Sequence, residues 1–535
     1  MRGVATKYQR MRGLLNLNNI VIVGGGSAGW MTAATFVRFF PEKKITVIES
    51  WDQPTIGVGE STLGQFRRWT HTVGLDDKDF MRYCDASYKL SIKFTDFYDK
   101  DAGSFHYPFG QPVVSTPQYI QDWAYAKQEY DLPPHDFVDS HYPASALMNH
   151  NRYDPNFYNF DPDTSQAYHF DATKFGLYLR DQVCIPEGVE VITGTVHDIH
   201  VKDGEIDHLY LAHGEEIRAD LFVDCTGFKS LLMNAVGGEF LDYSDLLPNN
   251  RAWAARLPYE DKEKELETYT HCTAIENGWC WNIPLWSRLG TGYVYSDKYV
   301  SPQEALKEFQ NYLMSDKMVV PRKSMDGIEF KDIKMRVGRY DNTFIGNVVA
   351  VGLSAGFIEP LESNGLLSVH ENLFYLSDIM TRGKLSEFDK QLYNQRFKKF
   401  FDDFAAFVAG HYALSHRDDT KYWQDITNRH YDMNGDLDSP YITKQQAFDQ
   451  LHHEFMNVWS FDGSDGGMPF IALGMGMNLI NPWRKKWLEI STGQDRDFHI
   501  KITKQQYDDR KKEWDAQARK RPTLYKWLKD NRYED

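Results

Sequence analysis

Cysteine and long apolar runs are both scarce in this chain of 535 residues. The five cysteines form no CxxC pair and no Cys/His spacing typical of a metal site. We therefore expect reduced packing cysteines, no metal centre and a cytoplasmic location. No apolar run approaches the roughly 20 residues that a membrane-spanning helix needs, so we expect no membrane association. Residues 1–19 lack the apolar segment typical of a signal peptide.

Positive charge is also in short supply. The 60 Lys and Arg residues against 76 Asp and Glu residues leave a formal net charge of −16. Because binding to a phosphate backbone needs a basic surface, this balance argues against a nucleic-acid partner. Aromatic residues, in contrast, make up 15% of the chain. They indicate either an aromatic-rich core or a site that holds flat rings through stacking and edge-to-face contacts.

A βαβ pattern opens the ordered part of the chain. Residues 19–23 (NIVIV) are typical of a buried parallel strand, residues 30–36 of a helix and residues 44–49 (KITVIE) of a second strand. We predict helices across 61–95, with Lys89 among them, and long loops over a site across 96–160. Further strands are predicted at 189–192, 206–211, 221–224, 292–295 and 344–352, and mostly helices beyond residue 370.

The turn between the first strand and helix has the pattern G-x-G-x-x-G. Gly24 permits the tight turn, Gly26 lets a pyrophosphate approach the backbone, and Gly29 allows the helix to pack closely. Glu49 ends the second strand, where an acid is suited to bind ribose hydroxyls. The pattern therefore predicts a dinucleotide site, with a glycine-rich turn that binds no ligand as the alternative.

Two later segments favour FAD over NAD as the ligand. Residues 219–227 resemble the second nucleotide-contacting strand and turn of two-dinucleotide-fold flavoproteins, and residues 347–356 resemble the turn that meets the flavin ring. A helix N-terminus at that turn would stabilise negative charge on reduced flavin. The predicted cofactor-binding residues are Gly24, Gly26, Ser27, Ala28, Gly29, Glu49, Gly59, Glu60, Val196, Gly227, Leu353 and Leu366.

The predicted fold class is α/β. We expect an FAD-binding, Rossmann-like module of the two-dinucleotide-binding flavoprotein type with mixed sheets, followed by a mostly α-helical C-terminal lobe. Residues 1–18 are expected to form a flexible lead-in, residues 19–370 the FAD-binding module with an inserted substrate-covering segment around 96–160, and residues 371–535 a helical substrate-side lobe. A chain this long favours two lobes, because a single core rarely grows past roughly 250–300 residues.

Six segments together resemble the flavin-dependent halogenases of the tryptophan-halogenase family. The resemblance runs from about residue 19 to at least residue 425. The matching segments are GGGSAGWM at 24–31, GVGEST at 57–62, ASYKL at 86–90, WCWNIP at 279–284, FIEPLESNG at 357–365, and HY at 411–412 with RDDT at 417–420 and Trp423. WCWNIP fits the family's W-x-W-x-I-P, which is very specific. At 57–62 the family usually has GVGEAT, so Ser61 stands where Ala is usual.

The resemblance implies a reaction and assigns roles to its residues. Reduced FAD (FADH2), oxygen and a halide ion (chloride, bromide or iodide) yield hypohalous acid, which passes through an internal tunnel to a separate substrate pocket. Lys89 meets the acid there, either as an ammonium that hydrogen-bonds it or as a neutral amine that forms a haloamine. Glu362 stabilises the cationic ring intermediate and accepts its proton, while Ser363 fixes the geometry on the flavin side or relays between the flavin and the pocket.

Two further sets of residues follow from the resemblance. Asn364-Gly365 corresponds to the family's Thr-Gly pair, whose backbone amides hold the halide. Because Asn keeps the backbone N–H groups, halide binding should survive, although the halide preference could differ. Trp279, Trp281 and Pro284 form a wall that keeps substrate away from the flavin; a purely structural role for the Trp pair is the alternative.

The C-terminal part of the chain departs from the tryptophan-specific members. Those members carry a Tyr-Tyr pair with a following Glu, whereas residues 430–470 show no such pattern and residues 438–443 (DSPYIT) hold a single tyrosine. We therefore expect an indole- or phenol-type arene rather than free tryptophan as the substrate. His106, Tyr107 and Phe109 are expected to line its pocket, because the family has a His/Phe-containing run near here.

No NADH site accompanies the FAD site, so we expect a separate NADH-dependent flavin reductase to supply reduced FAD by diffusion. A homodimer or higher homo-oligomer is kept open. Two alternatives to halogenation remain at this point. An FAD-dependent aromatic hydroxylase shares the fold and flavin but does not require the tryptophan wall together with Lys89. A non-catalytic flavin-binding protein would bind FAD without any halide-dependent product.

Overall fold

The computed structural model describes residues 15–50, 60–113, 119–427 and 496–534. A six-stranded sheet, here called the nucleotide sheet, forms its first layer. Four of its strands, in spatial order Leu221–Asp224, Asn19–Val23, Lys44–Glu49 and Glu190–Thr193, run parallel. Val348–Ala350 joins them in parallel, and Phe344–Ile345 closes the edge as an antiparallel strand. This arrangement confirms the predicted α/β class and the opening βαβ unit.

The strands of the nucleotide sheet are apolar on both faces because both faces are covered. All of Ile20, Ile22 and Val47 are fully buried. The helix Ser27–Phe39 packs on one face and buries Trp30, Met31 and Phe36. The predicted strand 344–352 is two strands joined by a turn, because Gly346 has φ +57°, a conformation that suits glycine and interrupts extended pairing.

A seven-stranded sheet, here called the large sheet, lies beside the nucleotide sheet. Its strands are Phe330–Lys334, Arg251–Leu257, Leu289–Tyr295, Gly278–Pro284, Tyr269–Ile275, Ser91–Thr95 and Ser104–Pro108, in spatial order. Only Tyr269–Ile275 and Ser91–Thr95 pair in parallel. The five central strands are buried almost throughout, so this sheet forms much of the main hydrophobic core.

A small three-stranded sheet, here called the lysine sheet, carries Lys89. Glu60–Ser61 and Ser87–Lys89 both pair antiparallel with Ala167–Phe170. The prediction of helix across 61–95 was therefore wrong for its last part: helices occupy Phe66–Thr72 and Asp77–Cys84, and Lys89 lies on a strand. Strands of three to five residues that are buried on both sides lack the alternation of apolar and polar residues that identifies longer strands.

The segment expected to form loops across 96–160 also holds regular elements. It contains the strand Ser104–Pro108 and the helices Tyr119–Tyr130, Asp136–His141 and Ala144–Asn149. The long C-terminal helix Arg496–Ala518 packs against all three helices. Within the range predicted as a lead-in, Leu15–Asn16 pairs with Lys384–Leu385 and Leu17 is fully buried.

The remaining elements are smaller sheets, helices and helical turns. Two more three-stranded sheets contain Val196–Lys202, Glu205–Leu211 and Glu216–Ile217, and Phe240–Asp242, Gly338–Tyr340 and Gly356–Phe357. The other helices and helical turns are Ala172–Tyr178, Leu179–Cys184, Gly227–Lys229, Leu231–Ala235, Lys262–Glu265, Pro302–Met314, Gly352–Ser354, Pro360–Glu362, Gly365–Met380, Glu387–Ala413, Lys421–Thr427, Leu524–Leu528 and Lys529–Tyr533. Among the helices of the described ranges, none combines the length and the apolar character that crossing a bilayer requires.

Candidate active site

The glycine loop at residues 24–29 has the geometry of a dinucleotide site. Gly24 has φ +121°, and a Cβ there would lie 2.2 Å from the carbonyl oxygen of Cys225. A Cβ at Gly29 would lie 1.8 Å from the carbonyl oxygen of Gly24. A Cβ at Gly26, in contrast, would meet no atom within 4 Å. Two glycines thus permit the turn and its close packing, and the third leaves open space before the helix that begins at Ser27.

The other predicted cofactor residues lie around this loop. Glu49 ends its strand beside Gly25, and the Arg180 guanidinium lies 3.2 Å from its carboxylate. Gly227 has φ +68° and faces open space. Ser27 donates to the carbonyl of Ala172, and a Cβ at Gly352 would lie 2.8 Å from Ala28. The open space at Gly26, in front of a helix N-terminus, fits the FAD pyrophosphate.

Four of the predicted cofactor residues lie further from the loop or make fewer contacts with it. Val196 begins the strand next to Thr195, whose hydroxyl lies 2.8 Å from that of Ser50. Leu353 lies in the turn Gly352–Ser354, and Leu366 is buried near the start of the helix Gly365–Met380. Burial, followed by the charge of Asp171, raises the pKa of the Glu60 carboxyl to about 7. Gly59 lies outside the described residues.

Lys89 is fully buried and held by two acceptors. Its Nζ donates to the carbonyl oxygen of Thr62 at 3.0 Å and to Ser363 Oγ at 2.8 Å. The Phe109 ring lies 5.2 Å from the same nitrogen, within range of a cation–π contact. Burial lowers the pKa of Lys89 to about 7, against the opposing charges of Glu362 and Cys272. A lysine in this setting can act as an amine near neutral pH.

Glu362 forms a buried pair with His411. Glu362 Oε1 lies 2.6 Å from His411 Nε2, and His411 Nδ1 lies 2.9 Å from the carbonyl oxygen of Phe407. Because a carbonyl only accepts, Nδ1 carries a proton, and one further proton is shared between Nε2 and the carboxyl group. Glu362 Oε2 is buried without a partner among the described residues. That oxygen is the free acceptor of the pair.

The turn after Glu362 brings two predicted sites together. Ser363 adopts a left-handed backbone conformation with φ +57°, which points its hydroxyl at Lys89 and Ser61. Asn364 is the N-cap residue of the 16-residue helix Gly365–Met380, but its side chain makes no capping hydrogen bond. A Cβ at Gly365 would have only Glu60 Oε2 nearby, at 3.9 Å. The first amides of this helix are therefore sterically open to a small anion, as the halide prediction requires.

The tryptophan wall lies on one strand of the large sheet. Trp279 and Trp281 share a face, with ring centroids 6.2 Å apart, and Gly292 on the next strand leaves room for the Trp281 ring. Trp279 Nε1 donates to Glu359 Oε2 at 3.3 Å. Burial raises the pKa of Glu359, although Asn249 also donates to it at 2.7 Å. Pro284 ends the strand, and its carbonyl accepts from Ser87.

The aromatic run at 105–109 divides between two faces. Phe109 contacts Lys89, and burial, followed by the charge of Glu362, raises the pKa of Tyr107. His106 points to the opposite face, where Ser91 lies 2.8 Å from its Nδ1 and the Tyr269 ring packs edge-on. The placement of His106 with Tyr107 and Phe109 in one pocket was therefore wrong, because successive strand residues point to opposite faces.

Several partners were not predicted from the sequence. His411 was part of a matching motif without a role, and the Thr62 carbonyl, Arg180 and Glu359 were not singled out. Acceptors on the backbone leave no signal in a sequence. Arg180 and Glu49 are separated by more than a hundred residues, so only the fold brings them together. Residues 430–470 lie outside the described residues. This range includes 438–443 and is where the sequence shows no Tyr-Tyr-Glu pattern.

An FAD-type glycine loop, a buried lysine and a carboxylate oxygen without a partner among the described residues together indicate a flavoenzyme with a second reactive site. The sequence matches the family described as tryptophan halogenase over residues 19–465, and the chain belongs to this family. It is 32% identical to tryptophan 6-halogenase ThaL of Streptomyces albogriseolus over 500 residues, which cover 87% of this chain and 91% of the relative.

Solved structures agree with this assignment. The apo structure of VirX1 is 34% identical, with a TM-score of 0.87 over 97% of this chain and 100% of that one. Tar14, a tryptophan C-6 flavin-dependent halogenase (chlorinase) from taromycin biosynthesis, is 28% identical, with a TM-score of 0.81 over 95% of this chain and 99% of that one. This chain is accordingly a flavin-dependent halogenase that uses reduced FAD and a halide to halogenate an aromatic substrate. Such enzymes need a separate flavin reductase, and the hydroxylase alternative is not favoured.

Proposed function

We propose that halogen transfer occurs at Lys89, with Glu362 as the proton acceptor and the amides of Asn364 and Gly365 as the halide site. The observation that carries the proposal is the Lys89 amine, which is fully buried, fixed by two acceptors and next to the flavin-side turn at Ser363. A surface lysine would instead be hydrated and mobile. Residues of the glycine loop would hold FAD, with Glu49 at the ribose.

The residues divide the chemistry into two parts. Bound reduced FAD supplies the electrons with which oxygen and halide are converted to hypohalous acid. Lys89 then holds the halogen as an electrophile, by hydrogen bonding or as a haloamine. Trp279, Trp281 and Pro284 keep the arene away from the flavin side. The unpaired Oε2 of Glu362 takes the ring proton, while Oε1 stays bonded to His411.

The proposed substrate is an electron-rich indole- or phenol-type arene. The aromatic faces of Tyr107 and Phe109 beside Glu362 and Lys89 support a flat ring. Free L-tryptophan is a second candidate, favoured by relatives named as tryptophan halogenases. The proposed compartment is the cytoplasm, a reducing environment that suits five unpaired cysteines.

A substrate screen tests this proposal. The enzyme is supplied with a flavin reductase, NADH, oxygen and bromide, and is offered indoles, phenols and L-tryptophan in parallel. Mass spectrometry should detect products with the bromine isotope pair from at least one indole or phenol, and faster than from L-tryptophan. A product heavier by one oxygen and free of bromine would contradict the proposal, and rapid bromination of L-tryptophan alone would contradict the substrate class.

A further inference from the structure

A chain of hydrogen-bonded hydroxyl groups connects Lys89 to His169. Lys89 Nζ donates to Ser363 Oγ at 2.8 Å, and Ser363 Oγ donates to Ser61 Oγ at 3.1 Å. Ser61 Oγ lies 2.6 Å from Thr270 Oγ1, which lies 2.8 Å from His169 Nε2. No gap interrupts the path from the amine to the imidazole.

The contacts of His169, at the far end of this path, fix the direction of every hydrogen bond along it. The Ser87 hydroxyl donates to the carbonyl of Pro284, so Ser87 Oγ is free to accept from His169 Nδ1 at 3.3 Å. His169 Nδ1 then carries the proton, and Nε2 presents a lone pair to the Thr270 hydroxyl. Each hydroxyl donates towards His169 and accepts from the Lys89 side. This order is the one that a proton needs to pass by successive transfer.

The chain of hydroxyl groups is closed to bulk water. None of its members exposes more than 8% of its surface, and Lys89 and His169 expose none. Ser61 stands where the family usually has Ala in its GVGEAT segment, and Ala has no hydroxyl to join Ser363 to Thr270. A family member with Ala at this position therefore lacks the middle of the path.

We propose that Ser363, Ser61 and Thr270 relay a proton between Lys89 and His169, so that Lys89 reacts with hypohalous acid as a neutral amine. This inference rests on the proposed role of Lys89 in halogen transfer. In this proposal the three hydroxyl residues act through Lys89, as proton-relay residues. The proton that leaves is the one bonded to Ser363, so rotation about the Cε–Nζ bond then turns the nitrogen lone pair from Ser363 towards the halogen, while Thr62 and Ser363 accept from the two remaining N–H groups.

The step balances without any additional reagent. A proton leaves Nζ for Ser363 Oγ as the proton of each hydroxyl moves one position along, and the last one binds His169 Nε2. The amine attacks the halogen of hypohalous acid and displaces hydroxide: the N–halogen bond forms, the O–halogen bond breaks, and an amine proton leaves with hydroxide as water. The relay then returns its proton to the haloamine nitrogen, which strengthens the electrophile. After the ring takes the halogen, Nζ keeps its electron pair and Glu362 holds the ring proton.

The charged groups around the path favour a short-lived transfer. Glu362, Cys272 and His169 face Lys89 from three different elements. Burial, followed by the Lys89 charge, holds the pKa of His169 well below its ordinary value, against the Pro284 carbonyl. When Lys89 loses its proton the repulsion between the two groups ends, but burial still opposes an imidazolium. His169 therefore holds the proton only briefly. Because burial also lowers the pKa of Lys89 to about 7, the rate of halogen transfer should rise with pH through that value.

The test breaks the path at two points that leave Lys89 and Ser363 in place. Ser61→Ala restores the usual family residue, and Thr270→Val is isosteric. Thr273→Val is the matched control, since Thr273 is a buried threonine of the same strand on the opposite face. Single-turnover halogenation of a substrate found in the bromide screen is followed from pH 5.5 to 9, in H2O, in D2O and in mixtures of the two. The variant Lys89→Met is assayed in parallel.

The relay predicts about 10²-fold slowing in Ser61→Ala and Thr270→Val, at the lower end of acid–base contributions. It also predicts a curved dependence of the wild-type rate on deuterium content, because several protons move, and loss of that curvature in both variants but not in Thr273→Val. If both variants kept the wild-type rate, pH profile and isotope curve, the relay would be overturned. An active Lys89→Met enzyme would instead overturn the role of Lys89 itself.

Discussion

At the scale of single residues, the site depends on two buried ionisable groups with separate partners. Lys89 is bonded to a carbonyl and a hydroxyl, and Glu362 is bonded to His411, so neither is neutralised by a direct ion pair with the other. Burial without an ion pair disfavours the ammonium form, which explains why the pKa of Lys89 falls to about 7. The arrangement leaves one amine lone pair and one carboxylate oxygen for chemistry.

The variant Glu362→Gln tests the proton acceptor. An amide keeps the shape and the contact with His411 but cannot take the ring proton, so halogenation should slow by about 10²-fold. Loss of the proton should then limit the rate, and a substrate deuterated at the reacting carbon should show a larger isotope effect than with wild type. Glu371→Gln is the control, because Glu371 pairs with His370 outside the site. An unchanged rate and isotope effect in Glu362→Gln would rule out this role.

Residue types were easier to predict than residue partners. Lys89, Glu362 and Ser363 were found from motif matches, and the structure brings all three to one place. The His411 contact could not be predicted, because 49 positions separate it from Glu362 and only the docking of the helix Glu387–Ala413 brings them together. His106 was misplaced because the exact strand register decides which face a residue points to.

At the scale of secondary-structure elements, the paired strands Gly278–Pro284 and Leu289–Tyr295 shape the tryptophan wall. Gly292 lies directly opposite Trp281 in the register. A Cβ at Gly292 would lie 2.1 Å from Cη2 of Trp281 and 2.5 Å from the carbonyl oxygen of Trp253. One of these contacts is with backbone, so the strands cannot adjust by moving a side chain alone.

The variant Gly292→Ala should therefore destabilise the protein and displace the Trp281 ring. Overpacking of this kind typically costs about 1–3 kcal/mol. Thermal unfolding of the FAD-free protein should show a lower Tm. Gly176→Ala provides the control, since a Cβ there meets its nearest neighbour at an ordinary 3.7 Å. If both variants unfold at the wild-type temperature, the claimed crowding at Gly292 is wrong.

Elements with strong local patterns were predicted well. The strands at 189–192, 206–211 and 221–224 lie within one residue of their predicted bounds. The strands around Lys89 and the helices across 119–149 were missed. The lysine sheet is stabilised by pairing between distant segments, and the helices of 119–149 are stabilised by packing against Arg496–Ala518. Neither cause is visible in a local window of sequence.

At the scale of the whole molecule, one short segment links the flavin side to the lysine chamber. Glu60 lies beside Gly365 at the start of the helix, and the next residue, Ser61, is bonded to Ser363. The strand Glu60–Ser61 thus contacts both the start of the helix Gly365–Met380 and the turn that holds Lys89. The sequence predicted both sites, but not their connection, because it depends on the pairing of Glu60–Ser61 with Ala167–Phe170.

The central claim is that oxidising power produced at the flavin is used at Lys89, and Lys89→Met tests it most directly. The measurement follows reduced-FAD oxidation, hypohalous acid captured by a thiol trap, and halogenated arene in the same reaction. We predict wild-type FAD binding and undiminished trapped oxidant, with arene halogenation reduced by at least about 10²-fold. Arene halogenation at the wild-type rate in Lys89→Met would contradict the account.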